Sequence, residues 1–140
     1  MTTKETHMYL MTVRRLERRI VRLTIQHDEL QTCLLPSAVR YDKDIVQTSP
    51  EDKMSDVASA VLDLEKKIKV AKIQKADAII QISKAIAVLP DDRERDILTA
   101  YYIGRSQMEQ IASEVGYSLS HTYALRRKGV KYLSELLLKK

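Results

Sequence analysis

The chain has 140 residues, 44% of them hydrophobic and 31% charged, with a formal net charge of +5. That length holds one full-sized domain or two small ones, and no apolar run approaches the roughly 18–20 residues needed to cross a bilayer. With no Trp, no Phe, and only three Gly and three Pro, the composition argues against strands and tight hairpins and predicts an all-α fold.

The opening MTTKETHMYL lacks the apolar core of a signal peptide. From about Met8 to Leu34, Tyr9, Val13, Leu16, Ile20, Leu23, His27, Leu30 and Leu34 recur at alternating spacings of four and three, the seam of a coiled-coil helix. Arg14, Arg15, Arg18, Arg19 and Arg22 form a basic outer stripe on the same helix. The single cysteine, Cys33, excludes an internal disulfide and suits a reducing, cytoplasmic setting. It lies six residues from His27 with no acid to complete a triad, so a core thiol is the expectation. The following segment, LPSAVRYDKDIVQTSP, is bracketed by Pro36 and Pro50 and has no sustained helical period.

Ser49-Pro50-Glu51-Asp52 reads as a helix start: the serine caps, the proline sits at the first position, and the acids face the positive end of the dipole. A second seam then runs through Val57, Val61, Leu64, Ile68, Ala71, Lys75, Ala78, Ile82, Ala85 and Leu89. At about 1.5 Å per residue the two helices would be roughly 40 and 57 Å long, and the connection lets them fold back antiparallel. The expectation for residues 1–89 is thus a long helical hairpin, a coiled coil with His27 and Lys75 as polar layers. Ile73 and Ile80 lie opposite the second seam, and Ile79 and Ile86 flank it. Such surplus apolar surface predicts either a contact with the rest of the chain or self-association into a homodimer or higher oligomer.

All three glycines and five of the seven tyrosines lie beyond Pro90, which marks a domain boundary at Leu89–Pro90. Residues 90–140 begin with Pro90-Asp91-Asp92, a helix start whose apolar side is Ile97, Leu98, Tyr101 and Tyr102 and which Gly104 stops. Ser106 and Glu109 have the spacing of a capping box. Ile111, Ala112 and Val115 would be the buried face of a short helix, ended at Gly116 where a left-handed residue is required. Ser118 would cap a last helix with Thr122, Leu125, Gly129 and Leu133 on its core side. Capping, turn and core agree on helix-turn-helix geometry. Between Tyr117 and Ser134 lie Arg126, Arg127, Lys128 and Lys131 without one Asp or Glu, the footprint expected for a polyanion partner.

These residues carry a resemblance. Leu89-Pro90, Arg93-Glu94-Arg95, Ser106, Glu109, Gln110-Ile111-Ala112, Gly116, Ser118, Thr122, Gly129 and Leu133 match the landmarks of region four of bacterial sigma factors, over roughly the last fifty residues. Over nearly the whole chain, the hairpin motifs add Tyr9-Leu10, Val13–Ile20, Ser49, Glu51–Met54, Asp56, Leu64-Glu65 and Ile68. With these the sequence is similar to phage-encoded late-gene transcription regulators of the ArpU/RinA type. The resemblance implies that the helix after Ser118 enters a major groove of double-stranded DNA, in the cytoplasm of a bacterial host, with RNA polymerase as a further partner.

The residues themselves distribute the contacts. Ser120, Tyr123, Ala124, Arg127 and Lys131 share the face opposite the core positions. Arg127 suits guanine O6 and N7, Tyr123 and Ser120 base edges or phosphate, and Ala124 a thymine methyl. Ser118, His121, Lys128, Lys131, Arg105 and Ser106 are placed for phosphates. Leu119 stands where many sigma factors carry an arginine, so promoter preference does not transfer. No catalytic residues, cofactor motif or metal-ligand spacing are found. The resulting expectation is a non-enzymatic, sequence-specific transcription regulator, an activator of phage late genes. Two other readings stay open: an oligomeric DNA-packaging subunit of the small-terminase kind, and a polymerase-docking module without base readout.

Overall fold

The computed structural model describes residues 2–35 and 50–138, and among them every regular element is a helix. The segment between Pro36 and Ser49, including the capping role expected of Ser49, lies outside the described residues.

The first helix starts earlier than its apolar seam. Helix α1 (Thr3–Leu10) opens on a capping box in which Glu5 N–H donates to Thr2 Oγ1 at 3.1 Å and Thr2 N–H to the Glu5 carboxylate at 3.0 Å. Met11 interrupts the helix for one residue while keeping the ladder: its N–H donates to the His7 carbonyl and its carbonyl accepts from Arg15 N–H, both at 3.0 Å. Helix α2 (Thr12–Cys33) carries on, and α3 (Pro50–Ala87) has Pro50 at its first position with Glu51 and Asp52 in the first turn. All three sit as helix-start chemistry requires.

Helix α4 (Asp92–Leu98) is capped by Asp91, whose carboxylate accepts from Arg93 N–H at 2.8 Å. The sequence predicts one α-helix through to Gly104. The structure instead widens into a π-helical turn, Thr99–Ile103, closed by Gly104 N–H to Thr99 carbonyl at 2.9 Å and Ser106 N–H to Ala100 carbonyl at 3.0 Å. Gly104 is needed there for space rather than for its dihedral: φ is −75°, but an added Cβ would lie 2.9 Å from the Ala100 carbonyl oxygen. The left-handed residue of this turn is Arg105, at φ 58°, a conformation costing a non-glycine residue about 1 kcal/mol.

Helix α5 (Met108–Val115) ends at Gly116, φ 79°, as its position required. Helix α6 (Leu119–Leu138) follows, with His121 N–H donating to Ser118 Oγ at 3.1 Å. The capping box expected from Ser106 and Glu109 does not form: the cap position is Gln107, without a side-chain bond. Ser106 is held one residue too early, its N–H engaged by Ala100 and its carbonyl by Arg14.

Contacts group the chain into two compact units, Met1–Leu16 with Lys75–Lys140, and Glu17–Gln74. The boundary expected at Leu89–Pro90 therefore falls inside the first unit. Its core joins Leu10, Val13, Ile82, Ile86 and Leu89 to Leu98, Tyr102, Val130 and Leu133, so the end of α1, the start of α2 and the end of α3 are packed into the C-terminal helices. Ile86, expected to flank the seam, is one of these buried residues. A smaller cluster of Ile97, Met108, Ile111 and Leu125 holds α5 against α4 and α6. In the second unit Ile20, Leu23 and Val61 are buried, and His27 Nε2 lies 3.1 Å from Glu65 Oε1. Cys33, expected in the core, is instead exposed at the end of α2, its thiol turned back to the Glu29 carbonyl at 3.5 Å.

Candidate nucleic-acid interface

Helix α6 has one buried and one polar side, and its sequence explains the division. Thr122, Leu125, Gly129, Val130, Leu133 and Ser134 are buried. The Thr122 hydroxyl is satisfied by the Ser118 carbonyl at 2.8 Å, which lets a polar side chain be fully buried at no hydrogen-bonding loss. Gly129 passes so close to α4 that a Cβ there would meet Leu98 Cδ1 at 3.0 Å and Glu94 Cβ at 3.4 Å.

Of the residues singled out in the sequence, Ser118, Ser120, His121, Ala124, Arg127, Lys128 and Lys131 are exposed on or just before α6. Arg105 is exposed and Ser106 half-buried in the left-handed turn ahead of α5. Tyr123 differs from the open reading head expected: it is half-buried against the cluster around Ile97 and Met108. Ser106 offers less than expected too, since its carbonyl accepts Arg14 Nη2 at 2.8 Å. His121 packs edge-on against Tyr117, ring centroids 5.0 Å apart.

Sequence reasoning missed a guanidinium–aromatic stack. The Arg126 guanidinium carbon lies 4.5 Å from the Tyr101 ring centroid and 5.1 Å from that of Tyr123, while that of Arg14 lies 4.1 Å from Tyr101. Arg14 also donates from Nε to the Tyr101 carbonyl at 3.0 Å. Arg14 thus leaves the outer stripe and braces the π-helical turn. No linear spacing could reveal this, because the contact joins residues 87 apart.

Burial and charge shift several groups nearby. Tyr102, fully buried, has its phenol pushed up to about 12, chiefly by loss of solvent. Its hydroxyl meets His7 Nδ1 at 2.7 Å. Burial, helped by the positive charge of Arg126, holds His7 below the ordinary histidine value. Glu94, buried where α4 meets α6, is raised mainly by desolvation. Asp91 is lowered by its bonds to Arg93. Among the described residues no three of His, Cys, Asp and Glu come together as a metal would require, and no helix is long and apolar enough to cross a membrane.

Residues 34–134 match a family model described as a protein of unknown function, DUF1492. The chain belongs to the DUF1492 family. The DUF1492 match runs through α3, α4, the π-helical turn, α5 and α6 as far as Ser134. It thus includes the whole basic side of α6. Comparison with curated proteins and with solved structures gives no match.

Proposed function

We propose that the protein is a sequence-specific DNA-binding transcription regulator of the phage late-gene kind its sequence resembles. In this reading α5, Gly116 and α6 form the helix-turn-helix, and α6 is the recognition helix. One observation carries the proposal: Arg127, Lys128 and Lys131 are exposed on α6, opposite its buried side, and no acid lies between Tyr117 and Ser134. A helix whose outer face is cationic and whose inner face is fixed by three neighbours suits a major groove, where phosphates supply affinity and base edges supply choice.

Helices α2 and α3 support the hairpin expected of the N-terminal region. Leu10 and Val13 share a core with Ile82 and Ile86, and His27 meets Glu65, so ascending positions on one arm meet descending positions on the other. Exposure of Leu62, Ile73 and Ile80 on α3 favours self-association of these arms. Light scattering separates the forms: a monomer or dimer fits the regulator, and eight or more copies fit a packaging ring. Selection of bound duplexes from a random-sequence pool tests the function itself. Convergence on one motif is the expected result; an unenriched pool overturns sequence-specific reading.

A further inference from the structure

Arg14 and Arg126 are an unusual pair of cations. Both approach the same Tyr101 ring, at 4.1 and 4.5 Å, and neither forms an ion pair with a carboxylate among the described residues. Two like charges held on one ring repel each other, and each side chain loses rotamer freedom in being held there. Stacking offsets part of that cost but leaves the charge unneutralised.

Stacking also leaves a guanidinium's hydrogen-bonding edge open, because the ring occupies its face. Arg14 spends Nε and Nη2 on the Tyr101 and Ser106 carbonyls. Arg126, with five N–H donors, makes no hydrogen bond to the protein's described residues. Arg14, Tyr101, Arg126 and Tyr123 are all only half-buried, so solvent and ligand can reach them. The open fork of Arg126, with the remaining N–H donors of Arg14 beside it and no carboxylate paired to either, matches the geometry of a phosphate's oxygens.

We infer that the Arg14–Tyr101–Arg126 stack is a phosphate-binding site, occupied by a backbone phosphodiester of the DNA that α6 reads. The site rests on the DNA-binding reading for its occupant, and on its own geometry for its chemistry. Arg126 is the contacting residue, following Tyr123 by less than a turn of α6. Arg14 positions it through Tyr101 and adds a second positive charge. The N-terminal arm thereby contributes to the interface, although it lies outside the last fifty residues that carry the helix-turn-helix pattern.

The test uses the full chain and a labelled 30-base-pair duplex of mixed sequence, titrated from about 50 to 200 mM NaCl, with wild type, Arg126→Gln and Arg126→Lys. Arg126→Gln is expected to weaken binding roughly tenfold at the low-salt end and to lower the log–log salt slope by about 0.9, the release for one phosphate. Arg126→Lys keeps the charge but not the fork, so the slope should return while affinity recovers only in part; this variant also serves if the glutamine form folds poorly. Unchanged slope and affinity in both variants, with duplex binding intact, overturn the phosphate site and leave the DNA reading standing. A second arm titrates inorganic phosphate while following the His7 ring protons by NMR, since Arg126 sits close enough to influence that imidazole. Phosphate should move the His7 titration upward in wild type and not in Arg126→Gln. If that shift occurs in a chain that binds no duplex, the site holds with free phosphate as its source and the regulator reading falls. If a polyglutamate peptide displaces the duplex as well as phosphate does, the fork serves carboxylates and the inference is wrong.

Discussion

Gly116 and Arg127 show how differently single residues enter this account. At Gly116 nothing lies within 4 Å of an added Cβ, but φ is 79°, so the cost of Gly116→Ala is purely conformational. About 1 kcal/mol of stability should be lost in urea unfolding, and less for Gly116→Asn, which tolerates left-handed backbone. Arg127 is exposed and its loss should leave stability nearly untouched. Arg127→Ala is expected to weaken binding to the selected site by about 1–3 kcal/mol and relax choice at one position, whereas Lys128→Ala weakens all sequences alike; competition binding with point-mutated sites distinguishes the two. His7 and His27 should titrate in opposite senses. His7 is held below 6.5 by burial, so its contribution to stability is present above that pH and is lost as pH falls through its folded value. His27 is raised by its bonds to Asp28 and then Glu65, so its contribution is full below 6.5 and is lost as pH rises through its folded value. NMR titration should find His7 on the acid side of 6.5 and His27 on the alkaline side, and His7→Gln should remove acid sensitivity that His27→Gln leaves in place.

The elements were legible wherever one local rule acted alone. Gly116 announced a left-handed turn because no side chain is tolerated there without strain, and Ser118 announced the start of α6 because a hydroxyl before an apolar run satisfies free amides. Ser118→Ala should cost about 1 kcal/mol of unfolding free energy by loss of that bond; a change within error would deny Ser118 its capping role. Local rules failed where a distant residue intervened. Ser106 and Glu109 have correct capping-box spacing, yet Arg14 and the Ala100 carbonyl hold Ser106 elsewhere. The π-helical turn was hidden too: Ile97, Leu98, Tyr101 and Tyr102 fit an α-helical stripe equally well, and the bond from Arg14 to the Tyr101 carbonyl of the widened turn comes from a distant residue. The box at Thr2 and Glu5 was readable and was missed because it precedes the apolar seam.

At the scale of the molecule, composition suggested a break at Pro90, but hydrophobic burial ignores composition. Leu10, Val13, Ile82, Ile86 and Leu89 find partners in Leu98, Tyr102, Val130 and Leu133, so the surplus apolar surface noticed around Ile86 is partly absorbed within the chain. The candidate site was legible in the part that depends on helix periodicity: the exposed Ser120, Ala124, Arg127 and Lys131 and the buried Thr122, Leu125, Gly129 and Leu133 all follow from one 3.6-residue repeat. Tyr123 and Arg126 were not, since Tyr123 packs against the cluster around Ile97 and Met108 and Arg126 stacks on Tyr101, contacts made with other elements. The central claim is that this cationic side of α6 binds duplex DNA, and the most direct measurement is anisotropy of a labelled duplex across a salt series. The phosphate contacts of Arg126, Lys128 and Lys131 should give measurable binding at about 50 mM NaCl and a log–log slope of about −2.7 per protomer. Absence of binding at that salt, or a slope near zero, would contradict the account.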